Sequence, residues 1–82
     1  MQIVHMQDQS YFTTAEVPEA VLEYRKNGQT VDFTRTYVPE SDRGRGVAKE
    51  LVLSGLEWAR EAGLTAEASC WYAHKIMQAR EA

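Results

Sequence analysis

The stretch "YVPESDRGRGVAKELVLSGLEWAREAG", residues 37–63, decides the fold. It opens on strand-like residues, meets Pro39, passes through "DRGRG" (42–46) and continues as an apolar pattern at helical spacing. Val47, Leu51, Ser54/Gly55, Trp58 and Ala62 recur along one face, and Ala48, Val52, Leu56 and Ala59 widen the stripe. That spacing predicts one long helix over about 43–62, with Gly63 as its left-handed stop. A helix start needs only a cap, and a plain turn needs only one glycine. Two glycines and two arginines at the mouth of the longest helix therefore ask what the turn holds.

On the N-terminal side, "SYFTTAEV" (10–17) is β-branched and aromatic and closes on Pro18, so a strand is expected. "AVLEYRK" (20–26) places Val21, Glu23 and Arg25 on one face and Leu22 and Tyr24 on the other. Asn27-Gly28 is the strongest short hairpin signal. "QTVDFTRTYV" (29–38) then alternates Val31, Phe33, Arg35 and Tyr37 against Thr30, Asp32, Thr34 and Thr36. A three-stranded antiparallel meander is the economical solution, with "QIVHM" (2–6) as an addition at its edge. Beyond the helix, "LTAEASC" (64–70) predicts a short strand, and "WYAHKIMQAREA" (71–82) a terminal helix starting near Ser69 or Cys70. The predicted order is β-β-β-α-β-α, an α+β fold whose last strand lies parallel to its neighbour because a helix crosses over before it. Trp58, Trp71, Leu51, Leu56 and Phe33 are expected in the core. The charged residues of 57–61 and 75–81 are expected on solvated helix faces.

With 82 residues, one domain over 1–82 is expected, with a core small enough that a monomer or a weak homodimer is anticipated. A net charge of −3 argues against a protein that coats nucleic acid, and no nucleic-acid partner is expected. Cys70 is the only cysteine, so no intramolecular disulfide forms and a reducing cytoplasm is the expected setting. "MQIVHMQDQS" has neither the charged start nor the apolar run of a secretory leader. No stretch approaches the ~20 apolar residues of a membrane span, so no membrane partner is expected. No metal site is expected.

The first turn of a helix exposes N–H groups and carries about half a positive charge, which attracts anions. Glycines let backbone approach a ligand closely, and arginines offer forked donors that match phosphate oxygens. Gly44 and Gly46, flanked by Arg43 and Arg45, therefore make a pyrophosphate seat at a strand end. The named alternatives fail on spacing. A Walker A loop needs G-x-x-x-x-G-K-[ST], which is absent. A dinucleotide fingerprint needs a third glycine where Lys49 stands, and a KH loop needs G-x-x-G.

What survives is strand, short turn, R-G-x-G-[VI]-A, helix, and this resembles the GNAT acyltransferase superfamily. The resemblance covers residues 20–77. It rests on "VP" (38–39), "RGRGVA" (43–48), "LEWAR" (56–60) and "SCWY" (69–72), as in the short members of the superfamily. Ser41 stands where the broad loop motif has Gln or Arg. The resemblance implies acetyl-CoA as acyl donor, an amine of a small molecule or a protein as acceptor, and N-acetyltransferase activity. It implies that the pyrophosphate meets Arg43, Gly44, Arg45, Gly46, Val47 and Ala48, and that the acyl-pantetheine arm meets the backbone of Thr36, Tyr37 and Val38.

Side-chain chemistry has few candidates. Cys70 precedes the last helix, whose N-terminus lowers a thiol pKa. It is an acyl acceptor, an acid toward the CoA thiolate, or a small buried hydrophobe. Tyr72 is a proton donor to the leaving thiolate, as tyrosine is in many GNAT enzymes, or a packing residue. His74, Glu23 and Glu40 are weaker candidates that also read as solvated side chains, and His5 reads as part of a frayed terminus with no role. The alternative to an enzyme is a non-catalytic acyl-CoA-binding or interaction module that kept the loop.

Overall fold

The computed structural model describes residues 1–81. Four strands run antiparallel in chain order: β1 (Ile3–Met6), β2 (Tyr11–Thr14), β3 (Val21–Asn27) and β4 (Thr30–Tyr37). Helix α1 (Val47–Glu61) follows, then β5 (Thr65–Ala68), which adds parallel to β4, and α2 (Trp71–Glu81) ends the chain. The α+β architecture is the expected one: meander, main helix, added parallel strand, C-terminal helix.

The details differ where pairing outweighs local signals. Residues 3–6 form a full strand, in register from Ile3 opposite Thr14 to Met6 opposite Tyr11. His5 is consequently no frayed residue. Its ring stacks on Phe12 at 4.0 Å and meets Trp58 edge-on at 4.7 Å, and its Nε2 lies 2.7 Å from the Tyr24 hydroxyl. Burial lowers its pKa from the ordinary histidine value. The unfolded chain therefore binds the extra proton first, so stability is complete above pH ~6.5 and is lost as pH falls below it. A urea midpoint that drops between pH 7.5 and 5.5 is expected, in a window above the carboxylate titrations. His5→Gln should flatten it; an unchanged slope would mean that His5 is not the titrating group.

The hairpin turn also moves by one residue. Asn27 pairs with Thr30, leaving Gly28 and Gln29 as the two-residue loop. Gly28 alone has positive φ, the II′ pattern rather than the I′ pattern that an Asn-Gly centre would give.

The most consequential departure is in β4. Tyr24 pairs with Phe33, but Glu23 pairs with Arg35, so Thr34 is an extra residue without a partner in β3. A bulge of this kind reverses which residues face the core. Before it, Val31 and Phe33 are fully buried; after it, Val38 is buried while Arg35 and Tyr37 turn out to solvent. Thr36 pairs with the fully buried Leu22 and so faces the helix side, the reverse of unbroken alternation.

Helix α1 buries Val47, Leu51, Val52, Gly55 and Ala59. Gly55 sets how closely the helix meets the sheet: a Cβ there would lie 2.8 Å from Phe33 Cε1 and 3.0 Å from Leu22 Cδ2. Gly55→Leu is expected to cost about 1–3 kcal/mol by overpacking, against the fraction of a kcal/mol that leaving glycine returns in a helix. Chemical denaturation of the variant measures it, and native stability would mean that the helix simply lifts. The C-terminus of α1 closes as expected on Gly63 (φ +72), with Leu64 N–H to Ala59 C=O at 2.8 Å and Gly63 N–H to Arg60 C=O at 3.2 Å.

Two expectations are corrected here. Helix α1 begins at Val47 rather than near 43, because Arg43 is extended (ψ 149) and Gly44 and Gly46 both have φ +82, outside the helical region. Trp71 is 74% exposed and not core. At about 100° per residue it lies roughly opposite Ala73, which is fully buried and takes the inward position of α2.

Candidate functional site

β4 outlasts β5. Parallel pairing covers only Thr30–Phe33, while pairing with β3 continues to Tyr37. The chain leaves β5 where the Cys70 N–H reaches the Phe33 carbonyl at 3.0 Å. Past that point a cleft of about 540 Å³ opens, with residues 36–38 along one side, 42–44 and 46–49 along another, and 70–72 along a third.

The loop wall is built by backbone. After Pro39, a short 3-10 turn (Glu40–Asp42) leads into Arg43, whose Nε donates to the Val38 carbonyl at 3.0 Å and folds the loop back on the strand end. Gly44 and Gly46 occupy left-handed conformations, and a Cβ on either would meet nothing within 4 Å. Glycine is there for its φ and for exposed backbone, since no neighbour crowds it. Gly46 caps α1 without a side-chain hydrogen bond, and the first bond of the helix is Glu50 N–H to Gly46 C=O at 3.0 Å. The N–H groups of residues 47–49 thus have no acceptor within the helix, and the helix dipole adds positive potential beside them. This wall suits an anion.

Arg45 stands apart. Its guanidinium is 3.4 Å from Asp42 Oδ1, its side chain is 71% exposed, and it does not line the cleft. Of the residues anticipated for the donor, Thr36, Tyr37, Val38, Arg43, Gly44, Gly46, Val47 and Ala48 do converge on the cleft.

The facing wall begins at Cys70, which caps α2: its carbonyl accepts from His74 N–H at 3.0 Å. Its Sγ is 3.4 Å from Thr36 Oγ1, a contact that exists because the Thr34 bulge turned Thr36 inward. Burial pushes the thiol up, but the Thr36 hydroxyl and the N–H groups of Ala73, Tyr72 and Thr36 together outweigh it, and the net shift is downward. Burial pushes the Tyr72 phenol up, so it stays protonated at neutral pH. Cys70 and Tyr72 share the cleft. His74, Glu23 and Glu40 do not line it, and Glu23 is held by Arg35 at 2.8 Å. Among the described residues, no group of three or more His, Cys, Asp or Glu side chains is arranged to hold a metal ion.

Three cleft residues are not among those the sequence points to as site residues: Asp42, Lys49 and Trp71. Lys49 was legible in principle, since it lies in the first turn of the helix that follows the glycines. Asp42 and Trp71 carry no local signal.

A model of the GCN5-related N-acetyltransferase family matches residues 10–82. The chain belongs to that family. It is also similar to the proteins called Protein NATD1. The match to the Xenopus tropicalis protein is 42% identical over 60 residues, 72% of this chain and 55% of that protein. The Danio rerio protein is 41% identical over 61 residues, covering 73% and 56%, and the Homo sapiens protein 42% over 60 residues, covering 72% and 53%. The chain thus spans about half the length of the curated relatives it matches. In this N-acetyltransferase-family chain, β1 precedes the matched segment, whereas all three sides of the cleft lie within it. Among the described residues no helix is long and apolar enough to cross a membrane.

Proposed function

We propose that residues 1–82 act as one small acyltransferase domain that binds acetyl-CoA in this cleft and transfers the acetyl group to an amine. The observation that carries the proposal is convergence: the outlasting end of β4, the glycine loop and the start of α2 meet around one cavity. The donor's diphosphate meets the N–H groups of the loop and of the first turn of α1, with Arg43 and Lys49 supplying positive charge. The acyl-pantetheine arm lies along residues 36–38, where β4 keeps β3 on one side and has no strand on its β5 side. Acetyl-CoA supplies a thioester carbonyl; the neutral amine forms the new C–N bond as the C–S bond breaks, CoA leaves as the thiol, and the proton that the acylated nitrogen sheds passes to water, from which the Tyr72 phenolate is reprotonated.

Tyr72, a phenol already protonated at neutral pH and made still less acidic by burial, delivers the proton to the leaving sulfur. Cys70 and Thr36 line the approach to the carbonyl, Cys70 as a wall residue or second acid rather than a carrier of the acetyl group. Most of the rate would come from holding donor and amine together, which is worth roughly 7–11 kcal/mol when the geometry is good. The lone free thiol suits a reducing cytoplasm.

Calorimetry with acetyl-CoA, followed by thiol release over a panel of amines and peptides, tests the proposal. Binding with acceptor-dependent release is expected. Binding without release for any acceptor would favour the non-catalytic acyl-CoA-binding module, and no binding would overturn both.

A further inference from the structure

We infer that Asp32 is a positioning residue for Cys70: its carboxylate clamps the junction of β5 and α2 and so fixes where the thiol stands in the cleft. The inference rests on the acyl-transfer reading of the cleft. Asp32 Oδ1 accepts from the Ser69 N–H at 2.7 Å, and Oδ2 accepts from the Ser69 hydroxyl at 2.6 Å. The next residue is tied to the next residue: Cys70 N–H donates to Phe33 C=O at 3.0 Å. Two consecutive residues of the junction are thereby pinned to two consecutive residues of β4, one step past the last β4–β5 pair, Phe33 opposite Ala68.

Asp32 does not line the cleft, so it acts on the chemistry only indirectly, through the junction it holds, whose next residue is Cys70. Asp32 stands opposite Arg25 in β3 and opposite Glu67 in β5, one opposite and one like charge. Its carboxylate nevertheless turns to Ser69, and among the described residues no ion pair joins it to Arg25. Two short hydrogen bonds to a carboxylate hold that arrangement, and charge-assisted bonds are the strong kind. The fork holds Ser69 at the point where the chain must leave the extended conformation and enter α2. Cys70 Sγ then keeps its 3.4 Å contact to Thr36 Oγ1 and its place beside the Tyr72 and Ala73 N–H groups.

Because Cys70 is the only cysteine, the pH profile of iodoacetamide alkylation on the intact chain reads its position directly. Asp32→Ala is expected to raise the midpoint by roughly one pH unit, since the donors around the sulfur are no longer aimed at it. The sign is diagnostic. Loss of a nearby negative charge acting only through space would lower the midpoint. Asp32→Asn keeps an acceptor for the Ser69 N–H and a donor for its hydroxyl, and should stay near the native midpoint. Ser69→Ala removes one arm of the fork without touching charge and should move the midpoint upward, which keeps the test valid if Asp32→Ala fails to fold.

The other ionisable groups that line the cleft with the thiol, Tyr37, Asp42, Arg43, Lys49 and Tyr72, are unchanged in all three variants, as are Glu67 on β5 and His74 and Lys75 on α2. In thiol-release assays, Asp32→Ala should lower kcat about tenfold or more and leave the KM for acetyl-CoA near native, since the loop is untouched. An unchanged or lowered alkylation midpoint in Asp32→Ala, or one in Asp32→Asn equal to that of Asp32→Ala, would overturn the inference. Failure of the native chain to bind acetyl-CoA would instead remove the acyl-transfer reading, because alkylation needs no donor.

Discussion

Gly44→Val is expected to bind acetyl-CoA roughly 10- to 100-fold more weakly than the native chain, since a β-branched residue in a left-handed conformation costs about 1–3 kcal/mol. Gly44 sits at φ +82, and a Cβ there points into open space. The fold itself accommodates the added volume, so the effect on melting should be small beside the effect on binding. The free loop relieves the strain by shifting, and binding must then restore the original path while the isopropyl group stands over the exposed N–H groups. Gly44→Ala should lie between native and valine. Arg45→Ala should matter less than either, because Arg45 pairs with Asp42 and lies off the cleft. Calorimetry ranks all three; a valine variant with native affinity would remove the loop from the donor site.

The second large effect is expected at Tyr72. Tyr72→Phe keeps the ring and its edge contact with Trp71 but removes the proton donor, so kcat should fall about 10²- to 10⁴-fold with acetyl-CoA affinity unchanged. Burial raises the phenol above its ordinary value of 10.0, and the protonated form is the active one. Activity should therefore persist through neutral and mildly alkaline pH and fall only above 10.

Cys70→Ser separates direct transfer from transfer through the thiol. Direct transfer predicts an unmodified Cys70 after incubation with acetyl-CoA alone, and a serine variant that folds normally. A thioester-to-thioester exchange gains little driving force. A stoichiometric, kinetically competent acetyl group on Cys70, with ping-pong kinetics, would instead make it the acyl carrier and move Tyr72 to a secondary role.

Much of this molecule is legible residue by residue, because its signals are local. The apolar repeat from Val47 to Ala59 follows the 3.6-residue period of a helix, and the face carrying Leu22 and Tyr24 follows the two-residue period of a strand. The glycines and Arg43 at the mouth of α1 announce an exposed backbone turn whatever surrounds them. Cys70 and Tyr72 fall on the cleft because a short strand and a helix start are both readable there.

Tertiary structure alone decided the rest. Thr34 looks like any strand residue, and only pairing with β3 makes it a bulge, which turns Thr36 toward the thiol and Arg35 and Tyr37 to solvent. His5 would fray in isolation; β2 and Trp58 of α1 hold it. Arg45 carries the same charge as Arg43, yet Asp42 takes one outward while the Val38 carbonyl keeps the other at the cleft. Asp32 and Ser69 are 37 residues apart, and nothing local joins them. Periodicity shows which residues share a face of one element. Which partner that face meets, and where pairing slips by a residue, are settled when the elements pack against one another.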